Sequence, residues 1–399
     1  MKGRRGGSGA GGPRAAAVPL ARRPGRGRRL RVGVIFGGRS VEHEISHVSA
    51  RAVMKALDER GYEVVPIAVS KTGRWLARGA HHALPADPSV RGLICLRDGG
   101  RGGRAPISVA RRRADLARRA LDVVFPVMHG AGGEDGSLQG LLELADIPYV
   151  GAGVLGSALG MDKAMMKVAF RAAGLPIVDH RVVRRRDLKE VERIVDVLES
   201  AFGYPCFVKP SNGGSSVGVS KARNRAGLVR GLHLAARYDR TLIVERAIRA
   251  REIECSVLGN DAPVASVVGE IIPAGEFYDY RAKYVDPSSR LVIPADVSEA
   301  QSRRVREIAV RAFRTLDLAG MARVDFFLDR STEAIFLNEV NTLPGFTPIS
   351  MYPKLWEASG LPFPELVERL VGLALERHAE KRTFVRSYDP RGDRRRDAP

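Results

Sequence analysis

Residues 30–69 do most to limit the folds open to this chain. They open with the apolar run LRVGVIF, stop at Gly37 and Gly38, and pass at once into the helical pattern SVEHEISHVSARAVMKAL. A second apolar run, YEVVPIAV, follows from Tyr62, and LDVVFPV repeats the signal from Leu121. A strand that leaves a sheet through a helix re-enters it in the same direction, so the runs on either side of that helix pair in parallel. The stretch therefore predicts an α/β fold with a parallel sheet of βαβ units. Residues 71–120 are less regular and read as an elaboration of this first unit.

With 399 residues the chain can form two or three compact units. Residues 147–150, followed by Gly151, Gly153 and Gly156, close the first unit and lead into a helix over 157–173. A smaller unit follows, with a strand at 181–184, a helix at 188–201, the strand CFVKP, a glycine-rich turn and the strands VGVSKA and LIVERAI. The third carries two strand-rich stretches, a helix over 298–316, a β-hairpin over 322–340 and a last helix over 363–377. The division is thus a basic extension at 1–28, units at 29–151, 152–244 and 245–378, and a tail at 379–399.

The formal charge of +20 raises the question of a nucleic-acid partner, and its distribution argues against one. Residues 1–31 contain no acidic residue, and 101–119 and 382–399 are also arginine-rich. A Gly/Arg/Pro/Ala extension buries too little apolar surface to fold and is expected to be disordered. No aromatic residues interleave with its arginines, as stacking on single strands prefers, so nucleic-acid binding is the weaker reading. No apolar run reaches the roughly 18 residues of a membrane span, and residues 15–20 are too short and proline-broken for a secretory leader. The cytoplasm is the expected compartment. Cys95, Cys206 and Cys255 fit neither a disulfide framework nor a CxxC metal site and are expected to be ordinary thiols.

Two stretches carry chemistry. KPSNGGSSVGV places Lys209 at a strand end before a turn of glycines and serines, where backbone N–H groups can approach phosphate oxygens. It is not a Walker A loop, because GK[ST] is missing, and a flexible hairpin turn would look the same. In the hairpin, Arg323 and Asp325 lie two residues apart on one strand face, and so do Glu339 and Asn341. Two carboxylates in an apolar hairpin need a compensating cation. Magnesium completed by nucleotide phosphates suits such oxygens, and an internal ion pair of Arg323 with Asp325 or Glu339 suits them equally. Downstream, TLPGF allows close backbone approach at Gly345. Upstream, EFYDYRAKYV reads as an aromatic loop that covers something.

These pieces occur together and in order, and on them the chain resembles the D-alanine:D-alanine ligases of the ATP-grasp superfamily from about residue 29 to about residue 378. The matching stretches are GGRSVEHEISHVSA, FPVMHGAGGEDGSLQG, GSALGMDKAMMK, FVKPSNGGSSVGVS, EFYDYRAKYV, ARVDFF and NEVNTLPGFTPISMYP. HGxxGEDGxxQG and the EFYDYxAKY loop are highly specific to that family. The resemblance implies an ATP-grasp fold, with an N-terminal Rossmann-like substrate domain and two α+β lobes clamping the nucleotide.

It also implies roles. Lys163 and Lys209 match the lysines that hold ATP phosphates, with Ser216 in the same nucleotide set, and Glu245 and Glu252 match the adenine and ribose contacts. Asp325, Glu339 and Asn341 match ligands of magnesium or manganese, with two ions expected. Glu42 matches the anchor of the first D-alanine's ammonium, and His129 and Lys283 belong to the substrate set. Ser215 and Tyr284 match the groups that, with Glu42, tie the ligand loop to the first domain. Arg323 and the Gly345 amide match groups facing the reacting carbonyl, and Ser350 and Met351 match contacts to the second substrate, where Met is not the commonest choice.

The expected reaction joins two D-alanine molecules at the expense of ATP through an acyl phosphate, for peptidoglycan precursors, in a homodimer. The nearest rivals use D-serine, D-lactate or another amino acid as acceptor, including dipeptide ligases of antibiotic biosynthesis. Tyr284 argues against the lactate form.

Overall fold

The structure, a computed structural model, describes residues 29–77, 121–273 and 290–385. The basic extension, residues 101–119, Cys95, Lys283 and Tyr284 lie outside them. Among the described residues the strands form three sheets.

The first sheet contains β1 (Arg31–Gly37), β2 (Glu63–Val69), β3 (Trp75–Ala77) and β4 (Val123–Pro126), in the order β3-β2-β1-β4. β1 pairs in parallel with β2 and β4, as the alternation of strand and helix required. β3 is an antiparallel edge within the irregular stretch, where no strand was expected. Helix α1 (His43–Glu59) buries Ser46, Ser49, Ala50, Val53, Ala56 and Leu57, the single face that a spacing of three and four residues produces. A short helix, α2 (Ser137–Leu144), was not anticipated.

The expected helix over 157–173 is two helices, α3 (Val154–Met161) and α4 (Lys163–Ala172). Asp162 causes the break: its backbone is extended, and its carboxylate caps α4 by accepting from Ala164 N and Met165 N at 3.0 and 3.1 Å. The same carboxylate accepts from Ser211 Oγ and Asn212 Nδ2, which ties α4 to the glycine-rich turn.

The second sheet is antiparallel, in the order β5 (His180–Arg184), β8 (Thr241–Arg246), β6 (Cys206–Pro210) and β7 (Ser220–Ala222). Helices α5 (Val191–Phe202) and α6 (Arg225–Ala235) cover it with Val195, Leu198, Leu228 and Leu232. α5 begins in a 3-10 turn over Arg185–Glu190, and the strand read as VGVSKA is reduced to β7, because its first residues belong to the turn.

The third sheet orders β11 (Arg290–Val292), β10 (Val264–Ile272), β9 (Ala250–Gly259), β12 (Gly320–Asp329) and β13 (Ile335–Asn341). Helix α7 (Glu299–Thr315), started by a Ser298/Gln301 capping box, packs on it through Val305, Ile308, Ala309, Ala312 and Phe313. An unanticipated helix, α8 (Met351–Ala358), follows the hairpin, and the last helix, α9 (Phe363–Lys381), runs into the stretch read as tail.

The largest core is shared between the first and last parts of the chain. Val32, Phe36, Val53, Leu57 and Phe125 meet Leu343, Phe346, Tyr352, Trp356, Leu366 and Leu370. Phe346 lies edge-on to Phe125 with ring centroids 5.6 Å apart, and 5.6 Å from Tyr352. This packing brings the loops after β1 and β4 against the segment that leaves β13. Among the described residues no helix is long and apolar enough to cross a membrane. Cys206 and Cys255 are buried, which pushes their thiols up to about 11 and about 12, as inert thiols behave.

The substitution Asp162→Ala removes the cap of α4 and should lower the unfolding free energy by about 1–2 kcal/mol, read from the urea midpoint. An unchanged midpoint would show that the break does not depend on Asp162.

Candidate active site

The hairpin expected from the sequence forms, and its register sets the chemistry. Arg323 stands opposite Asn341, and Asp325 opposite Glu339. The ladder then passes over Asn338, a bulge of the kind that frees one backbone unit beside a site. On the other side of β12, Asp325 pairs with Glu254 of β9, so three carboxylates stand in a row across three strands.

Cations answer that row. Arg323 donates to both oxygens of Asp325 at 2.7 Å and lies 3.0 Å from Glu254 Oε2. Burial alone would lower the guanidinium's proton affinity, but the Asp325 and Glu254 charges outweigh it and hold Arg323 well above its ordinary value. Lys163, at the start of α4, lies 3.1 Å from Glu339 Oε2 and donates to the Gly213 carbonyl at 2.8 Å. The internal ion pair weighed from the sequence is thus present.

The opposite wall comes from the second sheet. Lys209 on β6 donates to Glu245 Oε2 on β8 at 2.7 Å, and Lys167, one helical turn after Lys163, lies 3.0 Å from Glu245 Oε1. Burial pushes the Glu245 carboxyl up, and the two lysines overcome this to hold it far below the carboxylate range. In the turn after β6, Ser215 and Ser216 are both left-handed, at φ 51° and 59°, an uncommon strain for residues with side chains. Ser215 Oγ donates to Glu42 Oε1 at 2.6 Å, joining this turn to the first unit. Gly214 permits that approach, since a Cβ there would sit 3.0 Å from Glu42 Oε2.

Lys163, Lys209, Ser215, Ser216, Glu245, Glu252, Asp325 and Glu339 line one cleft of about 640 Å³, a volume suited to a small ligand. Asn341 shares the strand face of Glu339 two residues on, but it is not among the residues that line the cleft, and its Oδ1 accepts from Leu343 N at 3.2 Å.

Beyond the rim, Glu42 is buried at the start of α1. His129 Nδ1 donates to the Leu343 carbonyl at 3.0 Å, a bond across the shared core. Burial lowers the affinity of His129 for a second proton, so its ring stays neutral. Glu134 accepts from Gly130 N at 2.7 Å and approaches His129 at 4.0 Å. Burial and then the Glu42 charge push its carboxyl up to about 8.

Gly345 lies against Ser350, whose Oγ is 2.7 Å from Thr347 Oγ1. Met351 is 4% exposed and packs with Ile271 and Leu355, so its side chain belongs to a small core at the start of α8.

Sequence reasoning missed Lys167, Glu254 and Glu134. The signals were there: Lys167 is four residues from Lys163 on one helix face, Glu254 two from Glu252 on one strand face, and Glu134 lies inside HGAGGEDG.

Among the described residues no group of three His, Cys, Asp or Glu side chains forms a ready-made metal cage. Two carboxylates and an amide oxygen fall short of a full shell, which fits a hard divalent ion that takes the rest from phosphates and water.

The chain matches the family profile described as D-ala D-ala ligase N-terminus over residues 31–152 and that described as D-ala D-ala ligase C-terminus over residues 169–372. It is 50% identical to a D-alanine--D-alanine ligase of Ruminiclostridium cellulolyticum over 374 residues, covering 90% of this chain and 100% of the relative. Among solved structures it resembles the D-alanine-D-alanine ligase from Coxiella burnetii, with a TM-score of 0.71 and 39% identity over 89% of this chain and 98% of the other. It also resembles the VanG D-Ala:D-Ser ligase from Enterococcus faecalis, with a TM-score of 0.70 and 31% identity over 87% and 100%. The fold is that of the ATP-grasp ligases, and the chain belongs to the D-alanine–D-alanine ligase family.

Proposed function

We propose that this protein joins two molecules of D-alanine to D-alanyl-D-alanine with the hydrolysis of ATP to ADP and phosphate, supplying peptidoglycan precursors. The observation that carries the reading is that one cleft is lined by both the phosphate-type lysines Lys163 and Lys209 and the carboxylates Asp325 and Glu339. Family membership supports the same activity.

In this proposal Lys163, Lys209, Ser216, Glu245 and Glu252 bind the nucleotide, the lysines at its phosphates. Asp325, Glu339 and Asn341 would hold one or two divalent ions, magnesium in the first instance, which supply the charge neutralisation that lets two anions meet. Glu42 takes the ammonium of the first D-alanine, with neutral His129 beside it. The first D-alanine's carboxylate attacks the γ-phosphorus and gives an acyl phosphate with release of ADP. The second D-alanine, seated by Ser350, loses an ammonium proton and attacks that carbonyl; the buried Met351 side chain supports the start of α8 instead of meeting it.

Arg323 and the Gly345 N–H then stabilise the tetrahedral oxyanion before phosphate leaves. The Glu42–Ser215 bond supports a closing role for the turn, and Lys283 and Tyr284 would complete it to keep water from the acyl phosphate. A homodimer in the cytoplasm is part of the same reading.

Phosphate release from Mg-ATP should require D-alanine and cease with a chelator, and L-alanine should not replace it. No turnover with D-alanine would end the proposal, and faster turnover with D-serine or D-lactate as second substrate would reassign the acceptor. Arg323→Lys keeps the charge but loses the planar fork, so kcat should fall on the order of 100-fold while KM for ATP changes far less.

Glu134 tests the electrostatics of the first pocket. Its folded carboxyl titrates at about 8 against an ordinary 4.5, so the folded state holds a proton that the unfolded chain has released. Stability must therefore fall as pH rises through that window. Unfolding free energies from pH 4 to 9 should decline more for the protein than for its Glu134→Gln variant, and parallel curves would contradict the assignment.

A further inference from the structure

Lys167 is 1% exposed at its side chain, among the most buried residues of the molecule, yet none of the roles above uses it. Its ammonium lies 3.0 Å from Glu245 Oε1 and donates to the Asn338 carbonyl at 3.3 Å. Asn338 is the residue that the β12–β13 ladder passes over, immediately before Glu339. One ammonium thus joins α4, β8 and the bulge of β13.

Glu245 holds two lysines, and only one of them reaches the cleft. Lys209 lines the cleft, whereas Lys167 stands behind Glu245 and does not reach the cleft wall. The Glu245–Lys209 contact is a hydrogen bond of 2.7 Å, and the Lys167 contact is an ion pair of 3.0 Å. A lysine that turns toward an incoming phosphate must loosen its bond to Glu245. A buried carboxylate that loses its only cation is strongly penalised, so a second, permanent cation makes the exchange feasible.

We propose that Lys167 is a positioning residue for nucleotide binding: it remains the counter-ion of Glu245 while Lys209 exchanges that carboxylate for a nucleotide phosphate. The proposal rests on the nucleotide reading of the cleft. Glu245 stays ionised, and Lys209 is held above the ordinary lysine value because the Glu245 and Glu339 charges outweigh its burial, so Lys209 keeps its proton for an anion. Burial pushes Lys167 below the ordinary lysine value, with the Glu245 charge opposing that fall, so the ammonium and the carboxylate depend on each other. The bond to Asn338 adds a second effect, since it anchors the strand position next to Glu339.

The test is a double-mutant cycle on the full chain, with Lys167→Met, Glu245→Gln and the pair together, reading the affinity for a non-hydrolysable ATP analogue by calorimetry. Lys167→Met leaves Glu245 without its permanent partner and should weaken binding on the order of tenfold. In the Glu245→Gln background, where no carboxylate needs a counter-ion, the same change should alter affinity by less than about twofold. Lys167→Arg should bind the analogue nearly as the unmodified protein does.

An equal loss in both backgrounds, or no loss in either, overturns the role, since a purely structural lysine would lower thermal stability without this coupling. If Lys167→Met does not fold, Glu245→Gln and the pair decide: affinities within about twofold uphold the proposal and a tenfold gap overturns it. Failure of the unmodified protein to bind the analogue would instead remove the nucleotide reading on which the proposal stands.

Discussion

Asp325 and Glu339 face each other across an antiparallel ladder, with Glu254 at the same level on the other side of Asp325. Three like charges so placed cannot stay ionised in a partly buried sheet unless cations are brought to them. Much of the surrounding arrangement answers that demand. Arg323 grips Asp325 and Glu254 from within the same sheet, and Lys163 reaches Glu339 from a helix of the preceding segment. A row of carboxylates with exchangeable partners can take up a divalent ion and phosphates, with the displaced cations turning to new anions.

The site exists only because separate parts of the chain are held in fixed relation. The core around Phe346, Tyr352 and Trp356 packs the first sheet and its helix against the end of the chain. His129 reaches the Leu343 carbonyl, and Phe346 N donates to Ser49 Oγ across the same boundary. The second sheet approaches from the other side, through the bond from Ser215 to Glu42 and through Asp162, which caps α4 while gripping the turn. Small displacements of these contacts would misalign groups that must act within hydrogen-bond distance.

Glu245 shows how the burial of a charge can be used. With Lys167 behind it and Lys209 before it, a carboxylate that would be costly alone orients a lysine at the cleft. Two successive serines in left-handed backbone are a strain of the kind that clusters at working sites.

Local chemistry made much of this legible. The parallel pairing of β1 follows from an apolar run, a glycine stop and a helical period, and the same-face placement of Arg323 with Asp325 follows from the two-residue period of a strand. The resemblance of motifs supplied the family. The helix expected across Asp162 failed because a capping side chain outweighed the apolar period, and α8 went unseen because its buried Tyr352 and Trp356 serve a core contributed by distant strands. Lys167 and Glu254 were each visible as a neighbour at helical or strand spacing, but their partners are 78 and 69 residues away, Glu245 and Arg323. Sequence determines what each residue can do and which neighbours share its face, because those depend on backbone period. Which charge meets which, and which of two lysines faces the cleft, was decided by tertiary packing alone, because Coulomb forces and desolvation act through space and not along the chain.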